Sequence, residues 1–431
     1  MLAYHYSRSP NVEKAIDYLE LANGKAIKAN AAADAQIHFE AALELYGKLP
    51  DTRENRRRRI ITLLQQVPVY LLQLKLAQYE ELLHAHESVA ISVEEEGVLG
   101  RFHAGIGHCH WFMGRHDEGL ESERKAVALC ERAGEMGGAA FAYVLTQYLH
   151  WSKGDFQRSL EFEAPCLRAH ALSPNLRVYM WSLTISGWAL GDMGLYERGL
   201  AKCELAMSAG DAASDPSIVC ECLWTMAIIL LDQGALDKAV EYAQRAIDVG
   251  PTPADKAWAQ LTLGWALSRR SPEIAIQLIE PLEPLFRAAG QIVTLVWLGV
   301  ALGEAYWRAG KLQQASQTLD DTAKLSQWSR AKHWEGKAHR LLGEIGIGQE
   351  SAEALATAEG HFSRALSLLE ICGAEPDIAR TCAGLGRLKL RQGKVAEALS
   401  SFNKALEISE RLGMTDEPER MRQIIQKIST A

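Results

Sequence analysis

The chain of 431 residues is long enough for two or three ordinary domains, and its 48% hydrophobic and 23% charged residues are typical of a soluble globular protein. The net charge of −8 argues against direct nucleic-acid binding, which needs an excess of Lys and Arg. No charge-free apolar run is long enough to span a membrane, and the eight cysteines are scattered without a Cys-x-x-Cys pair. We therefore expect a cytoplasmic protein with free thiols and without a membrane or nucleic-acid partner.

Three segments follow one another along the chain. Residues 1–100 have weak helical periodicity and are predicted to form degenerate helix pairs, with turns near Asn30 and Ala77. Residues 101–350 are the most regular part and are predicted to form a central array of helix pairs, with a further turn near Ser271. Residues 351–431 are predicted to form more pairs after a turn near Glu350, and then a polar capping helix over 417–431.

Evenly spaced glycines mark the repeat in the central array. Four of them follow one another at intervals of 40 residues, and small or apolar residues usually come five and twelve positions later. These four are Gly114, Gly154, Gly194 and Gly234, and the same frame returns at Gly310 and Gly393. The spacing predicts a first helix, a glycine turn and a return helix whose small residues face the first helix.

Particular stretches of this pattern resemble the tetratricopeptide repeat (TPR). Residues 234–247 and 393–406 resemble its second helix, and residues 302–306 supply the Leu-Gly-x-x-Tyr portion of its first helix. The resemblance implies an all-α fold, a right-handed superhelical solenoid of about ten antiparallel helix pairs. The period near 40 residues is longer than the usual TPR period of about 34 residues.

The N-terminal run, residues 2–46, resembles the segment that follows the ATPase module in bacterial class III adenylate/guanylate cyclases and related ATPase regulators. The likeness rests on two short motifs, His5-Tyr6-Ser7-Arg8 and Glu13-Lys14-Ala15. It implies a C-terminal sensor or docking region of a larger signalling protein, with an ATPase or cyclase domain on its N-terminal side. Any such activity would reside in that other domain, because the chain has no Gly-x-x-x-x-Gly-Lys-Ser/Thr phosphate loop.

Tryptophans recur on one face of the first helices. When each turn glycine is numbered 15 in its repeat, positions 2, 5, 9 and 12 lie within about 80° of one another on the helix. In TPR proteins this face resembles the lining of the concave groove. Nine of the eleven tryptophans fall on it, together with an aromatic pair. The set is Trp111, Phe141, Tyr148, Trp151, Trp181, Trp188, Trp224, Trp258, Trp265, Trp297 and Trp307.

This aromatic face has two interpretations. It is either an open groove that binds a peptide, a partner helix or a small ligand through tryptophan anchors, or the packed interior of a superhelix that closes on itself. The groove face becomes charged in the later repeats, which would suit an acidic partner segment, although a solvated helix face is the favoured interpretation there. The charged residues are Lys337, Arg340, Arg380, Arg387 and Arg391, with Glu344 among them.

Catalytic and metal sites find little support. Six histidines lie between residues 84 and 116, but His108 and His110 are two apart on a helix and point to different sides, and the His-x-x-x-His spacing of helical zinc sites is missing. No Gly-x-Ser-x-Gly elbow occurs either. We expect no catalytic residues, no bound metal and no cofactor.

The sequence thus predicts a non-catalytic interaction, scaffold or sensor module of a bacterial signalling regulator, which binds a peptide or partner protein in its concave groove. The proposed groove comprises the aromatic face together with Arg340, Arg380 and Arg387. A solenoid that senses a small molecule is the alternative, and a hydrolase hidden in the histidine-rich region is a weaker one. The sequence is also compatible with a homo-oligomer.

Overall fold

A computed structural model describes residues 11–349 and 351–430, without the side chains of residues 429 and 430. These residues contain helices and turns and no strand. Ten antiparallel helix pairs follow one another and end in a single helix at 417–430, so the prediction of an all-α solenoid of about ten TPR-like pairs is confirmed. The predicted motif at residues 5–8 and the predicted turn near Glu350 involve residues outside the described ranges.

The helices in chain order are α1 (Val12–Lys28), α2 (Ala32–Tyr46), α3 (Arg53–Leu64), α4 (Val67–Leu72), α5 (Leu76–Ser92), α6 (Glu96–Phe112), α7 (His116–Ala133), α8 (Met136–Ser152), α9 (Phe156–Glu161), α10 (Glu163–Leu172), α11 (Leu176–Asp192), α12 (Tyr196–Ala212), α13 (Pro216–Gln233), α14 (Leu236–Val249), α15 (Pro253–Leu267), α16 (Pro272–Ile279), α17 (Glu283–Ala288), α18 (Ile292–Arg308), α19 (Leu312–Trp328), α20 (Lys332–Ile347), α21 (Ala352–Cys372), α22 (Glu375–Arg391), α23 (Val395–Leu412) and α24 (Glu417–Thr430).

Three pairs contain a broken helix. The first helix of pair two is split into α3 and α4, and the return helices of pairs four and seven are split into α9 and α10 and into α16 and α17. Each second piece has a proline in its first turn (Pro68, Pro165 and Pro284), and the 3₁₀ turn between α16 and α17 contains Pro281. Because proline lacks the N–H that continues the helical ladder, the chain is interrupted at these points.

The turn positions agree with the glycine frame. Gly114, Gly154, Gly194 and Gly234 have φ angles of 73°, 78°, 81° and 90°, a left-handed conformation that glycine adopts without steric cost. The predicted turn at Asn30 is also left-handed, with a φ of 54°. The turn predicted near Ala77 lies three residues earlier, at Leu74, with a φ of 56°.

A second set of glycines, seven residues before the turn, allows close helix packing. A Cβ atom at Gly187, Gly303 or Gly386 would lie 2.5–2.7 Å from the side chain sixteen residues later on the return helix. In chain order these neighbours are Cys203, Leu319 and Phe402, and Gly107 faces Glu123 in the same way. The missing side chain therefore sets how closely the two helices of a pair approach each other.

The superhelix closes on itself, so that its second turn contacts its first. Ile292, at the start of pair eight, packs against Gly114 in the turn of pair three. Lys332 of pair nine lies 3.4 Å from Asp155 of pair four. The amide of Thr415, before α24, donates to the carbonyl oxygen of Gln233 at 2.9 Å. Since pair three meets pair eight and pair four meets pair nine, one superhelical turn takes five pairs.

A buried ion network joins the two superhelical turns. Lys337 on α20 is 2% exposed, and its Nζ lies 3.3 Å from Asp192, 3.8 Å from Asp232 and 3.2 Å from Asp377. Arg340 and Arg380 complete a set of three cations and three carboxylates, all of them buried. Lys337 also lies over two indole rings, 5.1 Å from the centroid of Trp334 and 5.6 Å from that of Trp265.

The pKa values of the carboxylates reflect this crowding. Burial opposes ionisation of Asp377, but Lys337, Arg340 and Arg380 hold its pKa at about 2. Burial raises the pKa of Asp192 to about 7 in spite of Lys337. The expectation of a solvated charged face is therefore wrong for Lys337, Arg340 and Arg380, because the first superhelical turn covers this face of the second.

The apolar core runs through the whole solenoid, and its largest cluster extends from Ala35 to Met421. Helix α13 is the one described helix whose length and hydropathy would suit a bilayer, but 72% of it is buried inside the protein, as in a core helix.

We expect Lys337→Met to lower the free energy of unfolding by about 3–5 kcal/mol, because it leaves buried carboxylates without their cation. Urea unfolding followed by circular dichroism measures the change. Lys324→Met is the matched control, because this lysine is 75% exposed on α19 and its loss should cost less than about 0.5 kcal/mol. Equal stability of both variants would show that the network does not hold the two turns together.

Candidate functional site

Inside the superhelix, the first helices of pairs two to eight enclose an aromatic cavity of about 890 Å³ including its mouth. We call it the tryptophan cavity, because seven tryptophans line it together with apolar and a few polar side chains. Its lining comprises Leu71, Leu72, His108, Trp111, Phe112, Leu145, Tyr148, Trp151, Arg177, Trp181, Trp188, Ser217, Glu221, Trp224, Asp255, Trp258, Val293, Thr294 and Trp297.

The indole N–H groups tie each repeat to the next one. Trp111 donates to the Ser152 hydroxyl at 2.8 Å, one pair further along the chain. The same step recurs at Trp151 with Asp192, Trp181 with Glu221, Trp258 with Thr294 and Trp265 with Glu304, at 2.9–3.4 Å. These bonds fix the orientations of the rings and occupy their N–H groups, so the indoles present mainly apolar ring surface to the cavity.

Three indoles form a cluster across the cavity. Trp188, Trp224 and Trp297 come from α11, α13 and α18, and their ring centroids are 5.5–5.7 Å apart. Such tilted and edge-to-face contacts are favourable for aromatic rings. Trp188 and Trp297 are buried, whereas Trp224 keeps part of its surface exposed. A ligand in the cavity would therefore meet a rigid aromatic wall.

The cavity contains one acidic side chain with room for a further partner. Glu221 accepts the indole N–H of Trp181 at 3.1 Å and the hydroxyl of Tyr148 at 3.3 Å. Burial raises the pKa of its carboxyl to about 7, against the opposing effect of these donors. Asp255 is occupied instead, because its carboxylate caps α15 together with Thr252.

His108 is a further titratable group of the wall. Burial among Trp111, Phe112 and neighbouring rings lowers its pKa to about 3, so this histidine is neutral near pH 7. It contributes shape and ring surface but no charge to the cavity.

A wider groove of about 1,470 Å³ adjoins the tryptophan cavity. Its walls come from α1, α3 and α4 on one side and from α6, α8 and α11 on the other. Arg177 and Trp181 line both spaces, whereas Phe141 lines the groove but not the cavity. The two spaces therefore form one continuous site, with an open part and an enclosed aromatic part.

The structure places the predicted site residues in three groups. Eight of them line the cavity, namely Trp111, Tyr148, Trp151, Trp181, Trp188, Trp224, Trp258 and Trp297, and Phe141 lines the groove. Two tryptophans lie apart from it: Trp265 is buried against Lys337, and Trp307 lies under the guanidinium of Arg308, 4.8 Å from its ring centroid. The arginines Arg340, Arg380 and Arg387 pair with Asp377, Asp232 and Glu344. Partner binding by these arginines stays a prediction.

Several lining residues were not predicted from the sequence, among them Glu221, Arg177 and Asp255. The repeat frame contained a signal for Glu221, because it occupies position 2 of its repeat, as do Trp181 and Trp258 in theirs. His108 occupies position 9 in the same way as Trp188. Arg177 and Asp255 fall outside the four groove positions, so the frame gave no sign of them.

The histidine-rich region forms pairs rather than a metal cluster. His110 lies 3.3 Å from Glu80, which also pairs with Arg115, and these partners hold the pKa of Glu80 at about 2 against the effect of burial. Within 11–349 and 351–430, no group of three His, Cys, Asp or Glu side chains is placed to hold a metal ion.

Comparisons with known proteins agree with this architecture. The tetratricopeptide repeat family matches residues 379–411, which span parts of α22 and α23, so the chain contains a TPR region. No curated protein sequence matches the chain.

One solved structure shares the fold at low sequence identity, and two others superpose less closely. The Rap conjugation gene regulator of the plasmid pLS20, solved in complex with the Phr* peptide, is 13% identical and superposes with a TM-score of 0.53, covering 82% of this chain and 95% of that one. A Rap protein complexed with competence and sporulation factor is 14% identical, with a TM-score of 0.48, over 93% of this chain and 99% of that one. The APC/C hetero-tetramer Cut9–Hcn1 is 15% identical, with a TM-score of 0.48, over 99% and 91%.

Because Trp328 is 60% exposed and most other tryptophans are buried, we expect blue-shifted fluorescence in which Trp328 dominates acrylamide quenching. Trp328→Phe should remove most of the easily quenched emission. Trp334→Phe, which changes a ring that is 1% exposed, should leave the quenched component in place. Red-shifted emission that quenches readily in both variants would contradict the closed superhelix.

Proposed function

We propose that this chain is a non-catalytic sensor module that binds a short peptide in the continuous site formed by the groove and the tryptophan cavity. The observation that carries the proposal is the convergence of seven tryptophans from separate repeats on one cavity. Rigid aromatic side chains supply large contact area at low entropic cost, and buried tryptophan anchors dominate many binding energies. The open groove gives an extended chain room to continue beyond the enclosed part.

The site also offers a route for signalling. Its walls come from both superhelical turns, since α4 and α6 of the first turn contact α15 and α18 of the second. A ligand that contacts both turns would favour one spacing between them, and this differential affinity is what shifts a conformational equilibrium. We propose that such a shift regulates an effector domain of a bacterial signalling protein. The resemblance of the N-terminal run to the TPR regions of ATPase and cyclase regulators favours this regulatory role. The resemblance itself stays a prediction, because the comparisons with known proteins do not test it.

A small molecule is the second candidate, because the tryptophan cavity is enclosed. Its lining is mostly aromatic and apolar with a few polar side chains, which is usual for small-molecule sites. A small ligand would need the cavity alone, whereas a peptide would also need the groove.

The two candidates are separated by one pair of variants. Pools of synthetic pentapeptides and a library of small aromatic compounds are screened against the full chain by ligand-observed NMR. For a peptide ligand, both Trp224→Ala in the cavity and Phe141→Ala in the groove should weaken binding, the former by about 30-fold, corresponding to about 2 kcal/mol. For a small molecule, only Trp224→Ala should do so.

Trp328→Phe is the control, since this ring lies outside both spaces and should leave affinity unchanged. Each variant is first checked for native helicity and unfolding midpoint. A ligand whose affinity is insensitive to Trp224→Ala would show that the cavity is not the binding site.

A further inference from the structure

Three carboxylates in the solenoid accept an indole N–H from the preceding repeat, and they differ in what else surrounds them. Asp192 accepts from Trp151 and has the Nζ of Lys337 at 3.3 Å. Glu304 accepts from Trp265 and has Arg269 and Arg308 at 3.5 and 3.2 Å. Glu221 accepts from Trp181 but forms no ion pair with any residue that the structure describes.

The carboxylate without an ion pair is also the one that lines the tryptophan cavity. The arginine of the lining, Arg177, pairs with Asp215 at 3.4 Å and acts on Glu221 from a greater distance, where its charge favours the ionised carboxylate. The two hydrogen bonds to Glu221 leave each of its oxygens a free acceptor position. Glu221 is half-buried, and a partly desolvated carboxylate without an ion pair is a favourable place for the cationic group of a ligand, which would supply the counter-charge.

The surrounding rings suit the same kind of ligand. Trp224 follows Glu221 by three residues on α13, so both lie on one face of the helix, and Trp188 and Trp297 adjoin Trp224. The face of an indole attracts cations through its quadrupole, and the attraction is strongest where water is excluded. Lys337 already uses this contact in the same protein, over Trp265 and Trp334.

We propose that the tryptophan cavity contains a cation subsite, in which Glu221 and the surrounding indoles bind an ammonium or guanidinium group on an apolar stem. This inference rests on the proposed binding function and specifies the chemistry of the ligand. The carboxylate supplies the counter-charge, the rings supply contact with the stem and the cation, and a neutral or anionic group of equal size binds there less well.

Three small probes of similar size test the charge preference, namely 2-phenylethylammonium, 2-phenylethanol and 3-phenylpropanoate, each titrated into the full chain by ligand-observed NMR. We expect the ammonium to bind about tenfold more tightly than the alcohol, with the carboxylate weakest. In Glu221→Gln, which keeps the size and the acceptor oxygen, the ammonium and the alcohol should bind within about twofold of each other. Glu204→Gln, on the exposed side of α12, is the matched control and should retain the preference.

The pH dependence gives an independent measurement. Because burial raises the pKa of Glu221 to about 7, more of its carboxyl is ionised at pH 8 than at pH 6, and the preference for the ammonium should increase over this range. The other charged or titratable groups near it are Arg177 on α11, Asp255 on α15, Tyr148 on α8, Cys203 on α12, and Cys220 and Cys222 on α13 itself, where burial raises the pKa of both thiols. Burial raises the pKa of Tyr148 and Cys203 well above this range, and His108 stays neutral, so these groups do not produce the same trend.

Equal affinity of the ammonium and the alcohol for the wild-type chain would overturn the cation subsite, as would the absence of binding by all three probes. A preference that persists in Glu221→Gln would overturn the assignment to this residue. If Glu221→Gln fails to fold, the affinities of the three probes for the wild-type chain and their pH dependence still test the cation subsite. The peptide and compound screens remain separate, so a ligand found there without a cationic group would keep the proposed function and reject only this inference.

Discussion

The contact between the second superhelical turn and the first determines most other properties of this solenoid. It is centred on Lys337, whose ammonium group is shared by three aspartates from three different first helices. A buried ion network of this kind contributes little net stability compared with apolar packing, but it is demanding in geometry, because each charge needs its partner in place. We therefore interpret it mainly as a device that fixes which repeats meet: pair nine, which carries Lys337, can settle in only one register against pairs five and six.

Closure changes what the concave face of a helical-repeat array can do. In an open solenoid the positions 2, 5, 9 and 12 of the first helices would form a long groove exposed to water. Here the early and middle repeats present tryptophans at these positions and the late repeats present charges, and the contact between the superhelical turns covers most of both sets. The result is an enclosed aromatic cavity at one level, with seven tryptophans, and a neutralised ion network at another. The indole N–H bonds from repeat to repeat keep the rings fixed, which preserves the cavity instead of letting the rings collapse into it.

The repeat frame was readable from the sequence because it is local. Gly154 and Gly194 mark turns whose left-handed conformation depends on a few neighbouring residues, and the small residues after them report the packing within one pair. Closure was not readable, because it arises from small rotations summed over five pairs and brings together residues about 150 positions apart, such as Lys337 and Asp192. Nine of the eleven predicted aromatic residues line the cavity or the groove, and Trp265 and Trp307 lie apart from both. Because closure was not readable, the enclosure of the aromatic face stayed undecided, and Lys337, Arg340 and Arg380 were wrongly expected to be solvated. Glu221 could have been predicted, because it occupies the same repeat position as Trp181 and Trp258, but the tryptophans were chosen as the candidates there.

The carboxylates inside the solenoid differ in whether they have an ion-pair partner. The network around Lys337 balances three carboxylates with three cations, and Glu304 has two arginines, whereas the buried carboxylate of Glu123 has no hydrogen-bond partner among the described residues. Glu221 differs from all of these because it lines the tryptophan cavity. Each oxygen of Glu221 accepts one hydrogen bond, from the Tyr148 hydroxyl and the Trp181 indole N–H, and an amide in its place would have only one acceptor oxygen for these two donors. Burial raises the pKa of Glu221 to about 7, and a cation bound beside it would lower that pKa by favouring the ionised carboxylate.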